Sequence, residues 1–173
     1  CLSKAHRKTG KIKDGKDTKF RCYAASMEAT YPSRRAKVWR NLELLKSTED
    51  KTKLIQDSVD HHAPTCRVFR PHIAGDYYSQ EYFNSMMRFA EQNPSILVYF
   101  YTKSLHFWAA YLDKEGDLPR NVVANASWGG AYDHLIEEYS MKSVMVQYHP
   151  EPSIDAWTDH DDNLAMVHPV NWT

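Results

Sequence analysis

Apolar residues change their spacing twice along the chain. In residues 22–47, CYAASMEATYPSRRAKVWRNLELLKS, Val38, Leu42 and Leu45 recur at helical intervals, and Pro32 stands where the first turn of a helix accepts proline. The pattern predicts a short helix before Pro32 and a longer one after it. A further helix is expected over residues 48–60, capped by Ser47 or Thr48. After Pro64 strands and helices alternate. Residues 66–73, CRVFRPHI, read as a strand, and residues 79–92 form a helical stripe of Tyr82, Phe83, Met86, Met87 and Ala90. The run ILVYFY at 96–101 is continuously apolar, which predicts a strand covered on both faces. A short helix LHFWAAYL, a strand at 121–127, a helix at 132–139 and a buried strand at 142–149 complete the series.

Such alternation with short connections implies parallel strands joined by right-handed crossovers. The expected fold is α/β, a partial (β/α) barrel or an open parallel sheet of about four or more strands. One domain is expected, with a basic arm and helices over 1–63, βα repeats over 64–150 and an acidic tail over 151–173.

Charge sharpens this division. The 173 residues carry 22 basic and 22 acidic side chains, yet residues 1–53 sum to +9 and the remainder to −9. The first 21 residues hold eight Lys and Arg and read as a loop or arm, fit either to be solvated or to meet phosphates. The tail, with DHDD at 159–162, lacks EF-hand spacing and reads as a solvated acidic turn or a counter-surface for the arm. No run is long and apolar enough to cross a bilayer and no signal peptide is visible, so a soluble protein of the host-cell cytoplasm is expected, without a membrane partner. Cys1 in first position predicts a processed or truncated product. Cys1, Cys22 and Cys66 are odd in number and widely spaced, which argues against a disulfide framework. Cys66, inside a strand-like run, lacks the setting of a protease nucleophile.

In a parallel α/β sheet, ligands bind at the carboxyl ends of the strands. The first expected strand is followed by His72, Gly75, Asp76 and Tyr77, the second by Thr102, Lys103, Ser104 and His106. The third is followed by Asn125, Ser127, Trp128, Gly129 and Gly130, the fourth by Gln147, His149 and Glu151. His72 and Asp76 are candidates for acid–base work or metal ligation, and Lys103 for holding a carboxylate or phosphate. Ser79, Ser104 and Asp133 fit helix caps equally well. Neither a GxxxxGKS nor a GxGxxG sequence is present.

The segments RCYAASMEATYPSRRAKVWRN, HIAGDYYSQEYFNSMMRFAEQNP, FYTKSL, LPRNVVANASWGG and DHDDNLA together resemble an uncharacterised bacteriophage family known as gene product 88. RCYA also resembles the cysteine segment of phage proteins similar to radical S-adenosylmethionine enzymes. That resemblance implies a partial barrel, an iron–sulfur cluster on Cys1 and Cys22 completed by a segment before Cys1, by Cys66 or by His6, and GDYY in the place of a cofactor-binding motif. Gly75, Asp76, Tyr77, Ser104, Ser127 and His149 would then bind S-adenosylmethionine or another small molecule, with His72, Asp76 and Lys103 catalytic. The CxxxCxxC motif of those enzymes is absent. Zinc is the alternative metal for the thiols. The competing expectation is a module without chemistry, whose basic residues from Lys4 to Arg21 bind nucleic acid.

Overall fold

The computed structural model describes residues 3–15, 22–148 and 165–169. The chain divides into two compact units, Cys1–Cys66 with His72–Gly75, and Arg67–Pro71 with Asp76–Thr173.

In the N-terminal unit, part of the expected arm is a β-hairpin. β1 (Ser3–Ala5) and β2 (Ile12–Asp14) pair antiparallel, with Lys4 opposite Lys13 and Ala5 opposite Ile12. Strand alternation accounts for its placement: Ser3 and Ala5 are buried while Lys4 between them is exposed. The connecting turn is closed by His6, whose carbonyl accepts from the Gly10 N–H at 2.8 Å and whose Nδ1 accepts from the Thr9 N–H at 3.2 Å. Gly10 takes a φ of 73°, a conformation that a side chain disfavours.

β1 packs on α1 (Tyr23–Thr30), and α2 (Pro32–Ser47) starts at Pro32 as the pattern predicts. Arg35 of α2 is only 7% exposed. Its guanidinium donates to the carbonyls of Arg7 at 3.1 Å, Lys8 at 3.5 Å and Glu28 at 2.5 Å. One side chain thereby closes the hairpin turn and satisfies a carbonyl in the last turn of α1. α3 (Lys51–His62) begins later than expected, because Asp50 is its cap and accepts from the Lys53 N–H at 2.9 Å. The Thr48 hydroxyl instead donates to the Leu44 carbonyl of α2 at 2.8 Å.

The other unit contains β3 (Val68–Phe69), α4 (Gln80–Gln92), β4 (Leu97–Thr102), α5 (Leu105–Glu115), β5 (Val122–Ser127), α6 (His134–Glu138), β6 (Ser143–Tyr148) and β7 (Ala165–Pro169). Strand order equals chain order, β3 through β6 run parallel, and β7 pairs antiparallel with β6. The fold is therefore α/β with an open sheet. The first strand shrinks from the expected eight-residue segment to two residues, since it is an edge strand paired only with β4 and Pro71 lies just beyond it.

Right-handed crossovers between strands taken in chain order carry every connecting helix to the same face. On that face Val98 and Phe100 are 0% exposed and Thr102 1%. They meet the apolar stripe of α4, with the Phe83 and Phe100 rings 6.1 Å apart and Phe89 5.6 Å from Phe69. Burying each phenyl ring contributes roughly 1.5–3 kcal/mol. The opposite face is more open: Leu97 is 41% exposed and Tyr101 40%, and the Arg70 guanidinium lies 5.5 Å from the Tyr101 ring centre. ILVYFY is thus covered on one face by the described helices, correcting the two-sided expectation. Among the described residues no helix is long and apolar enough to cross a membrane.

Candidate functional site at the strand ends

Asp76 organises the carboxyl end of β4. Its Oδ1 accepts from the Thr102 hydroxyl at 2.6 Å and the Tyr77 N–H at 2.8 Å, and its Oδ2 from the Lys103 N–H at 2.8 Å. Three donors on one partly buried carboxylate hold the loop before α4 to the end of β4, each such charge-assisted bond being shorter and stronger than a neutral one. Thr102 is the hinge of this arrangement, because its hydroxyl also accepts from the Ser104 N–H at 2.9 Å. Ser104 immediately precedes α5 without a side-chain cap bond; its hydroxyl donates to the Tyr77 carbonyl at 2.8 Å. Ser79, by contrast, caps α4 by accepting from the Tyr82 N–H at 3.2 Å.

Lys103 carries the link to the next strand. Its ammonium donates to the Ser127 carbonyl at 3.2 Å and to the Trp128 carbonyl. The turn that follows, Trp128-Gly129-Gly130, is held from beneath by Asp133, whose carboxylate accepts from the Gly129 and Gly130 N–H groups at 2.9 Å each. Asp133 makes no side-chain cap bond to α6, so its charge serves the turn rather than the helix. The glycines fit for two reasons. Gly129 has a φ of 89°, and a Cβ on Gly130 would lie 3.3 Å from the Asp133 carboxylate and 3.4 Å from the Lys103 Cβ. Trp128 anchors the turn to β6 by donating from Nε1 to the Ser143 hydroxyl at 3.2 Å.

A pair of rings stands at these loops. His106, in the first turn of α5, has its imidazole centre 4.2 Å from the Tyr132 ring with 32° between the planes. Burial lowers the His106 pKa from the ordinary histidine value, against the opposing pull of the Asp76 charge. At neutral pH the imidazole is therefore uncharged, able to accept on one nitrogen and donate on the other. Its Nδ1 is buried and makes no hydrogen bond among the described residues. Tyr132 is 39% exposed. It falls outside the sequence-derived candidates, because only the approach of the β4 and β5 loops brings it to His106.

The remaining candidates are dispersed. Tyr77 is a core residue, 3% exposed, its ring within about 5 Å of those of Tyr82, Phe83 and Phe100, and burial raises its phenol pKa well above the usual value. His72, half-buried, and Gly75, with a φ of 91°, lie in the segment that groups with the N-terminal unit. Cys22 is half-buried at the N-cap of α1, and its N–H donates to the Ser3 hydroxyl at 3.3 Å. Cys66 is also half-buried and closes a turn on the Ala63 carbonyl at 2.9 Å. Cys1, His149 and the DHDD cluster lie outside the described residues.

Among the described residues no group of three or more His, Cys, Asp or Glu side chains converges as metal ligands do. An iron–sulfur cluster takes four protein ligands as a rule, so the described thiols, Cys22 and Cys66, do not by themselves make such a site.

A family model described as "Gene product 88" matches residues 3–170. No curated protein and no solved structure matches the chain.

Proposed function

The chain belongs to the gene product 88 family, and we propose that it takes a small organic molecule at the carboxyl ends of β4 and β5, beside His106 and Tyr132. The observation that carries this reading is the division of labour among the strand-end side chains. Asp76, Lys103 and Asp133 tie three successive loops together, while the His106–Tyr132 stack beside them offers a flat aromatic surface and a buried ring nitrogen without a hydrogen-bond partner among the described residues. Loops fixed before a ligand arrives do not lose conformational freedom when it binds. The Lys103 ammonium favours a ligand carrying negative charge, and the ring pair favours a planar heterocycle.

Adenosine monophosphate and S-adenosylmethionine, whose methionine part carries a carboxylate, are the probes for calorimetric titration. Binding of at least one is expected, weakened about tenfold or more by Tyr132→Ala with the melting temperature unchanged, since loss of a stacking partner costs about 1.4 kcal/mol or more. Absence of binding to both probes, or binding indifferent to Tyr132→Ala, overturns the reading.

Iron–sulfur chemistry is the second reading, with radical S-adenosylmethionine-like activity as its sharper form. Its support is the bond from the Cys22 N–H to the Ser3 hydroxyl, which fixes Cys22 beside a residue two positions along the chain from Cys1. Cys1 stands two residues before Ser3 in the sequence, which motivates pairing it with Cys22. Anaerobic reconstitution should give bound iron and sulfide that are lost in Cys22→Ala. A colourless protein overturns this reading, and a zinc content in place of iron assigns the thiols to zinc.

A further inference from the structure

We propose that the β1–β2 hairpin is a contact surface for the phosphodiester backbone of nucleic acid, with Lys4, Lys8, Lys11 and Lys13 as the side chains that meet phosphates.

The register of the hairpin supports it first. Lys4 and Lys13 are directly opposite across the two strands, and both are exposed. Cross-strand neighbours on one face have their Cβ atoms about 5 Å apart, and two like charges so placed repel each other. An anion between them reverses the sign of that term. Lys8 and Lys11, also exposed, occupy the turn that joins the strands. None of the four lysines has an ion-pair partner among the described residues. Arg7 differs: its guanidinium is paired with Glu43 and lies 5.2 Å from the Trp39 ring centre, which leaves it a structural part of the surface.

Rigidity is the second support. The Arg35 guanidinium binds the carbonyls of Arg7 and Lys8 from within, so the turn bearing Lys8 is held in place by a buried cation rather than left as a loose arm. A basic surface ordered in advance meets phosphates without the entropic loss of an unstructured tail. The composition of the hairpin favours nucleic acid over a lipid surface. Its exposed positions from Lys4 to Gly15 are charged or polar apart from glycine, with Asp14 the one acidic residue, whereas stable membrane-surface binding adds apolar side chains or a lipid anchor to the attraction of lysines for anionic headgroups. Backbone contact of this kind is indifferent to sequence.

Fluorescence anisotropy with a labelled 20-bp DNA duplex, the matching single strand, and phosphatidylserine vesicles tests the assignment. Four neutralised phosphates give a slope of log K against log salt of about −3.6 on duplex, so affinity should fall about 150-fold between 50 and 200 mM KCl. The double variant Lys4→Gln/Lys13→Gln should show a slope of about −1.8 and a fall of about 12-fold over the same range. Its melting temperature should equal or exceed that of the parent, because a repulsive pair has been removed. A preference for duplex or single strand identifies which backbone is bound. No binding to either at 50 mM KCl, a slope unchanged in the double variant, or binding to vesicles alone overturns the proposal.

Discussion

The α/β unit buries Phe83, Phe89, Phe100, Met86, Met87 and Leu105 completely, whereas the residues of the N-terminal unit under one-tenth exposed include Ser3, Arg35, Lys51 and Thr52 beside Ala5, Ala25, Ile55 and Val59. The first unit is held by apolar area, which is non-directional and spread over many contacts. The second depends more on directed bonds, with Arg35 serving two separate turns. Loss of one side chain should therefore act differently in the two: a graded weakening across the sheet in one, and a local release in the other.

Phe100→Ala should have the largest effect, about 3–5 kcal/mol, because it opens a cavity between α4 and β4. Urea unfolding measures the loss, and slow-exchanging amides of β4 and β5 should lose protection. Arg35→Leu is expected to cost about 2–4 kcal/mol, since carbonyls of Arg7, Lys8 and Glu28 lose a charged donor. Hydrogen exchange should then quicken in β1 and β2 while the β4–β5 amides keep their protection; equal quickening in both units would erase the contrast. Gly10→Ala should cost about 1–2 kcal/mol through its left-handed backbone. Its Cβ would also stand 2.5 Å from the Arg35 guanidinium, so the same hairpin amides should respond.

The next effect depends on pH. His106 has a folded pKa below that of the unfolded chain, so the unfolded state binds more protons as acidity rises. The stability it contributes is complete above the unfolded value of about 6.5 and is lost as pH falls through the folded value. His106→Gln should flatten the dependence of the melting temperature over that window, and NMR titration should place the imidazole below the ordinary histidine range. The smallest effect belongs to the exposed Lys53–Asp57 pair on α3, 2.7 Å apart, where Lys53→Ala should leave the urea-unfolding midpoint almost unchanged.

The elements legible in the sequence were those long enough to show a period. β4, β5 and β6, and α4 with its stripe from Tyr82 to Ala90, lie within a residue or two of the expected bounds. The β1–β2 hairpin was not legible, because three residues are too few to establish a period in the sequence, and what holds the strands is Arg35, more than twenty residues away. Caps were ambiguous for a physical reason. Thr48, Ser104 and Asp133 each have a side chain able to cap a helix, but each finds a different partner once the chain folds. The strand-end rule drew attention to Asp76 and Lys103, whose bonds do join successive loops. It missed Tyr132, whose meeting with His106 depends on two loops coming together. GDYY misled in part, since one of its two tyrosines, Tyr77, is the aromatic centre of the core.

Strand order that follows chain order has a consequence for how this sheet is made. Each strand from β4 to β6 finds its pairing edge on the strand that preceded it, so the sheet can lengthen in step with synthesis and needs no return to an earlier edge. Such near-neighbour pairing keeps loop closure inexpensive and folding fast for a parallel sheet. The growing edge is also an open template until the next strand arrives. At β6 the rule changes, because its partner β7, sixteen intervening residues later, comes back antiparallel and ends the parallel series with Pro169. A nascent chain halted between β6 and β7 would therefore expose the edge of β6 to pairing with another chain.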